Sequence, residues 1–330
     1  MPRANVCGTP TPIVVWQFVD GKPGHEKQST GLLQGLEALH PVEVYDIDVR
    51  FQGMLWRQIR RRLFNETPDF ASPDLLIGVG HATHLPLLIA RSVCGGRSVV
   101  LMKPTLPHRL FDLLFVPRHD RVRRRANVVE TRGVICPSVV ADKEPGSGLI
   151  LLGGTSAHFE WSNPDIGKHL DAIVRASPEV RWQVCDSRRT PVGLQECLPR
   201  APNLTFQHWQ TAPPDFLERT LPRTEYVWVS ADSASMLYES LAAQAQVGII
   251  ALRPKRRRGN KHAVNIEALI RDGYVVSSRE GYRLAGTARN TPFPPENHRC
   301  AKIVLDRLIG RNKPRRRVLV TSRHRKQRPD

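Results

Sequence analysis

The chain has 330 residues, 40% of them hydrophobic, and a formal net charge of +18. That length exceeds one typical domain and suits two of about 150 residues each, and the composition excludes collagen, a coiled coil and wholesale disorder. The basic residues cluster at 57–62, 118–125, 255–261 and 311–328, a pattern that fits nucleic acid, an anionic membrane surface or a phosphorylated substrate. The tail 311–330 carries nine Lys/Arg against one acid and reads as a solvated basic extension. Cys7, Cys94, Cys136, Cys185, Cys197 and Cys300 are scattered with no C-x-x-C pair, which speaks against zinc and against a disulfide framework. The first apolar run, 13–19, is interrupted by Gln17, and no stretch approaches the ~20 apolar residues of a spanning helix. We therefore expect a cytoplasmic protein, free or resting on the inner face of the membrane.

In chain order, 12–20 is a Val- and aromatic-rich strand broken by 21–24. A helix follows over 25–39, with Leu32, Leu33, Leu36 and Leu39 on one face. A strand at 42–49, a basic amphipathic helix at 54–64 and an apolar strand at 74–79 come next. The pattern then predicts a helix over 85–93, closed by Gly95 and Gly96, and strands at 98–102 and 112–116. The region 128–140 is less regular, and 141–148 (ADKEPGSG) has the character of a linker. The second half restarts with a strand at 149–152, a tight loop at 153–156 and a helix at 165–176. Strands at 182–185 and 203–206, a helical turn at 214–219 and a strand at 226–229 lead to a polar loop at 230–233. A helix at 234–243, a strand at 247–252, a helix at 265–271 and a terminal helix at 297–309 complete the chain.

Strands alternating with helices imply βαβ units and parallel sheets buried on both faces. The fold class expected is α/β, with two Rossmann-like doubly wound domains facing a cleft. Their boundaries are 1–142 for an N-terminal acceptor or catalytic domain and 143–295 for a C-terminal nucleotide-sugar domain, followed by a terminal helix (296–310) and the tail (311–330).

Ligands of parallel α/β sheets bind beyond the carboxyl ends of the strands, and three loops sit there. Residues 20–25 (DGKPGH) follow the first strand. Gly21 and Gly24 let the backbone approach a ligand, the next helix offers free N–H groups, and His25 beside Asp20 is placed to remove a proton. An ordinary β–α turn with a capping histidine fits these residues equally well. Residues 153–156 combine Gly153 and Gly154 with the hydroxyls of Thr155 and Ser156, a donor set suited to phosphate. The chain lacks both G-x-x-x-x-G-K-[ST] and G-x-G-x-x-G, so neither standard phosphate fingerprint is present. In 230–235, Ser230, Asp232, Ser233 and Ser235 make a third anion cradle at a helix start, with Glu239 further along that helix. Alone, this loop reads as an N-cap with a surface glutamate.

The order strand–GxxGH–helix, strand–GGTS, small/hydroxyl loop–Glu helix resembles the GT-B glycosyltransferases. It is similar in particular to the lipid-linked N-acetylglucosaminyltransferase of peptidoglycan synthesis, and 260–273 (NKHAVNIEALIRDG) resembles that enzyme's donor-contacting segment. A closer resemblance is to a bacterial family related to the plant elongated-mitochondria fission factor. It rests on 20–29 (DGKPGHEKQS), 111–120 (FDLLFVPRHD), 151–156 (LLGGTS), 187–191 (SRRTP) and 230–239 (SADSASMLYE). The chain departs from that family at 207–215 (QHWQTAPPD), where an Asn-Pro-Tyr element is usual, which leaves the nucleobase side of the pocket open.

The resemblance implies a nucleotide-diphosphate sugar as donor substrate, with no further cofactor and no bound metal. It places Gly24 and His25 near the reacting sugar and Gly154, Thr155 and Ser156 on the diphosphate. Ser233 and Ser235 add donors, Glu239 takes the ribose, and Asn265 matches a donor-contacting asparagine. Arg188 and Arg189 are candidates for phosphate or base. The metal-free expectation takes the chain to carry no Asp-x-Asp and no histidine cluster at ligand spacing.

The helix around 51–64 is the candidate acceptor surface. Phe51, Leu55, Ile59 and Leu63 fall four apart with Trp56 beside them, flanked by Arg57, Arg60, Arg61 and Arg62. That profile suits an anionic membrane interface carrying a lipid-linked acceptor, or equally a helix packed on its own sheet with a solvated basic face. His81, His84, His108 and His119 each read as loop or core histidines, while His119-Asp120 follows a strand end from which it could face the cleft. Specific nucleic-acid binding is not expected, since no aromatic platform is interleaved with the basic runs. The expectation is a GT-B transferase with His25 as base; a nucleotide-sugar epimerase of the same fold and a non-catalytic binding module are the alternatives.

Overall fold

The computed structural model describes residues 11–50, 53–63, 71–120, 122–255, 260–284 and 292–310. The basic tail, Phe51 and most of the run 255–261 lie outside these residues, as do the side chains of Arg60, Arg62, Leu63 and His119.

The N-terminal half contains β1 (Ile13–Val19), α1 (Pro23–Glu37), β2 (Val42–Asp48), α2 (Gly53–Leu63), β3 (Leu75–Val79), α3 (His81–Cys94), β4 (Arg97–Leu101), β5 (Leu113–Pro117) and β6 (Val128–Thr131). They form one sheet in the order β2-β1-β3-β4-β5-β6, parallel throughout. β1 (IVVWQFV) is β-branched and aromatic, so it fills both faces of a buried sheet. Ile13 and Val15 meet Leu32 and Leu36 of α1 on one face. Val14, Trp16 and Phe18 meet Leu55 and Ile59 of α2 and Leu87 of α3 on the other.

The second half contains β7 (Glu144–Leu151), α4 (Asn163–Ala176), β8 (Arg181–Cys185), β9 (Leu204–Gln207), α5 (Phe216–Thr220), β10 (Thr224–Ser230), α6 (Ala234–Ala242), β11 (Gln246–Ile250), α7 (Lys261–Arg271) and β12 (Val276–Ser277). Its sheet runs β12-β11-β10-β7-β8-β9, again parallel. Counted from β7, this is the doubly wound order 3-2-1-4-5-6 read from its far edge. The chain then returns: α8 (Glu296–Val304) buries Cys300, Ala301 and Val304 against α1 and the first sheet. The protein is thus two Rossmann-like parallel-sheet domains facing a cleft, the GT-B arrangement.

Three elements begin four or more residues earlier than the sequence expectation. The stretch read as linker at 141–148 supplies the first half of β7, where Glu144 pairs with Thr224 of β10 and Ser147 with Arg181 of β8, and a side chain at Gly148 would run into the Trp182 ring. α3 begins at His81 rather than 85, with Pro86 inside the helix. α7 begins at Lys261 rather than 265, because the Asn260 side chain accepts from the His262 and Ala263 N–H groups.

Each sheet has a point where successive connections leave in opposite directions, and a crevice opens there. It falls between β1 and β3 in the first domain and between β7 and β10 in the second. The loops after β1, β7 and β10 are the three singled out from the sequence.

Candidate functional site

After β1 the chain turns at Asp20, whose side chain is buried. Its Oδ2 lies 2.9 Å from His25 Nδ1, and its Oδ1 accepts the Lys22 N–H at 3.2 Å. A carboxylate only accepts, so Nδ1 carries a proton, and in the neutral imidazole Nε2 is the acceptor. Nε2 has no hydrogen-bond partner among the described residues. The imidazole rests on Gly80, the residue joining β3 to α3. A Cβ at position 80 would lie 2.6 Å from His25 Nδ1, and φ there is +85°, so glycine is required on both counts. Gly80 carried no signal in the sequence, because its partner is 55 residues away. Arg50 was also missed. Its guanidinium covers Gly21 and grips Asp48 at 2.6 Å, drawing that carboxyl below its usual range. One Asp-x-Asp triplet does occur, Asp46-Ile47-Asp48 in β2, and Asp48 within it is held by Arg50.

In the second domain the loops after β7, β8 and β10 lock together around Asp232, whose side chain is 0% exposed. Its Oδ2 accepts the Gly154 N–H at 3.0 Å and lies 2.9 Å from the Arg189 guanidinium; its Oδ1 accepts the Ser230 hydroxyl at 2.7 Å. Ser230 in turn accepts the Gly153 N–H at 2.8 Å. Ser187 and Thr190 both donate to the Gly153 carbonyl at 2.5 Å. Gly154 has φ +148°, and a side chain there would run into the Arg189 carbonyl. Thr155 donates to that carbonyl, and Ser156 accepts the His158 and Phe159 N–H groups. The two glycine N–H groups counted as phosphate donors are therefore committed to Ser230 and Asp232. The donors that remain at this edge are the first-turn N–H groups of α6, the Ser156 hydroxyl proton, Ser235, which is exposed, and Ser233, which occupies the N-cap without a side-chain capping bond. Both arginines are exposed, and Arg189 is tied into the loops through Asp232.

The domains meet through side chains at these edges. Lys27 of α1 reaches Glu239 of α6 at 2.9 Å, and Lys261 reaches Asp120 at 3.1 Å. The Tyr238 hydroxyl lies 3.0 Å from the Arg132 carbonyl and 2.8 Å from the Asn265 side chain, and burial pushes its pKa up. Asn265 is thus engaged at the domain joint, where it lines a cavity of about 260 Å³ with Arg118 and Arg132. A second interdomain cavity of about 410 Å³ is walled by Lys27, Thr30, Val139, Leu221 and Glu239. Where the sequence leaves the nucleobase side open, Asp186 anchors the turn after β9, accepting the Trp209 N–H and meeting His208 Nδ1, both at 2.6 Å.

The proposed membrane stripe is corrected by burial. Leu55 and Ile59 are 2% and 4% exposed and pack on their own sheet, so neither is free to enter a bilayer; Trp56, 47% exposed, is on the outer side. His84 is a core histidine, as expected, in edge contact with Phe111. No group of three or more metal-binding side chains occurs among the described residues.

Two parallel sheets, each with its crevice turned to the other, define a two-domain GT-B α/β protein with its candidate site in the cleft. Residues 23–308 match the family described as Mitochondrial fission ELM1, and the chain belongs to that family. An uncharacterized protein of Rickettsia prowazekii (strain Madrid E) is 25% identical over 113 residues, spanning 32% of this chain and 32% of that protein. The chain thus matches about a third of the length of that relative. Among solved structures, UDP-GlcNAc 2-epimerase from Neisseria meningitidis bound to UDP-GlcNAc is similar at 12% identity and TM-score 0.48, over 90% of this chain and 100% of that one. The glycosyltransferase SnogD from Streptomyces nogalater is similar at 12% identity and TM-score 0.45, over 91% and 96%.

Proposed function

We propose that this protein binds a nucleotide-diphosphate sugar in the cleft and transfers the sugar to an acceptor, with a lipid-linked acceptor at the cytoplasmic membrane face as the favoured class. The observation that carries this reading is the Lys27–Glu239 contact, which joins the helix bearing His25 to the helix that follows the Ser230 loop. In this reading Glu239 accepts the ribose hydroxyls, and the α6 N-terminus with Ser233, Ser235 and Arg188 receives the diphosphate. His25, held by Asp20, takes the acceptor proton through Nε2 as the acceptor oxygen bonds to the anomeric carbon and the nucleoside diphosphate leaves with the bonding pair.

Thermal shifts against UDP-, GDP-, CDP- and ADP-sugars test the reading. A working pocket stabilises the chain by about 2.7 kcal/mol at a hundredfold excess over Kd. Glu239→Ala should abolish the shift; His25→Ala should keep it and lose turnover. No shift with any donor at millimolar concentration sinks the proposal. The membrane arm rests on the arginine-rich sequence of α2 and on the exposure of Trp56: vesicles of anionic lipid should retain the wild type and release Trp56→Ala.

A further inference from the structure

We propose that Lys27 belongs to the donor site, guarding Glu239 while the cleft is empty and giving it up when a vicinal diol binds. This rests on the reading of Glu239 as the ribose acceptor. The Glu239 side chain is 14% exposed and Lys27 36%, and their charged atoms are 2.9 Å apart. A carboxylate so far removed from water needs a partner when no ligand is present, and Lys27 is that partner. The two residues come from different domains, so the pair is a strap across the cleft that a donor must enter. At 2.9 Å no ribose fits between the ammonium and Oε2. An ammonium on the carboxylate also withdraws charge from it, weakening it as an acceptor for two hydroxyls. Both effects act as a tax on diol binding, since only the unstrapped fraction is competent.

The chemistry around Lys27 fits a guard more than a fixed strut. Its helix begins at Pro23, and His25 and Gly24 precede it on the same turn and a half. Both partners line the 410 Å³ interdomain cavity, so the ammonium has room to swing away from Glu239 without entering the core. Beneath them Cys136 is buried, and its thiol is pushed up by that burial and then by Glu239, with Lys27 acting in the opposite sense.

The test is isothermal titration of wild type, Lys27→Met, Lys27→Arg and Lys27→Met/Glu239→Gln. The probes are uridine, adenosine, guanosine and cytidine, and their 5′-diphosphates. The nucleoside whose diphosphate binds wild type should bind Lys27→Met about fivefold tighter or more, the low end of ordinary coupling between sites. Lys27→Arg should behave as wild type, and the gain should vanish in the double variant. Equal or weaker nucleoside binding by Lys27→Met overturns the guard, as does a gain that survives Glu239→Gln. A merely structural lysine would lower nucleoside and diphosphate affinity together with the melting temperature. If Lys27→Met fails to fold, Lys27→Gln, which drops the charge but keeps a donor, is read by the same criterion. Binding of no diphosphate to wild type removes the donor reading and the guard together; diphosphate binding with an unchanged nucleoside arm removes the guard alone.

Discussion

Position 80 shows how narrowly the catalytic candidate is held. An alanine there places a Cβ 2.6 Å from His25 Nδ1 at a φ of +85°. Gly80→Ala should therefore cost about 1–3 kcal/mol in a thermal melt and displace the imidazole, so turnover falls while donor-induced stabilisation persists. Unchanged turnover would mean that the ring position is immaterial. His84 gives a pH signature. Burial first, and the nearby His81 second, lower its pKa from 6.5 to about 4. Between those values the unfolded chain binds the extra proton, so stability rises with pH there. The contribution is complete above about pH 6.5 and is lost as pH falls toward 4. Melting temperatures over that window should drop less for His84→Gln than for wild type, and parallel slopes would exclude His84 as the cause.

At the scale of elements, α2 separates two roles that share one helix. Leu55 packs in the core between sheet and α3, so Leu55→Ala should cost about 2–5 kcal/mol with vesicle retention unaltered in the fraction still folded. Trp56→Ala, at an exposed position on the other side of the helix, should cost less than Leu55→Ala in the same denaturant titration. Equal losses from the two variants would contradict this division of the helix. The sequence displayed the amphipathic stripe correctly but not its destination. Four-residue spacing states that one face is apolar, and only the location of the sheet decides whether protein or lipid covers it. The starts of α3 and α7 were late in the reading for a related reason. His81 and Lys261 are not apolar-periodic, and what begins the helices there is a turn at Gly80 and a side-chain cap from Asn260.

Across the whole molecule, the return of α8 ties the chain's end to its beginning. Cys300, Ala301 and Val304 are fully buried against α1 and the first sheet. Removing residues 296–330 should uncover that face, and dye binding to exposed apolar surface should rise at the N-terminal domain. An unchanged melting profile would contradict this packing. The basic residues also divide at this scale. Lys27, Lys261, Arg189 and Arg50 are committed to carboxylates, so net charge overstates what the described surface offers to a polyanion.

The sequence by itself determined the two parallel α/β halves, because β-branched runs alternating with helical periodicity are local patterns that only βαβ units satisfy. It also located the three strand-end loops, since glycine and hydroxyl punctuation is local too, and its resemblance to a fission-factor family placed the chain in the family that residues 23–308 match. Tertiary structure alone decided what those loops do with their polar groups. The Gly153 and Gly154 N–H groups are taken by Ser230 and Asp232, nearly eighty residues away, and Asp20 fixes a histidine whose floor is Gly80. It also decided that Glu239 meets Lys27, 212 residues distant. A donor's spare bonding capacity depends on which distant acceptor the fold brings to it, and local spacing carries no record of that partner.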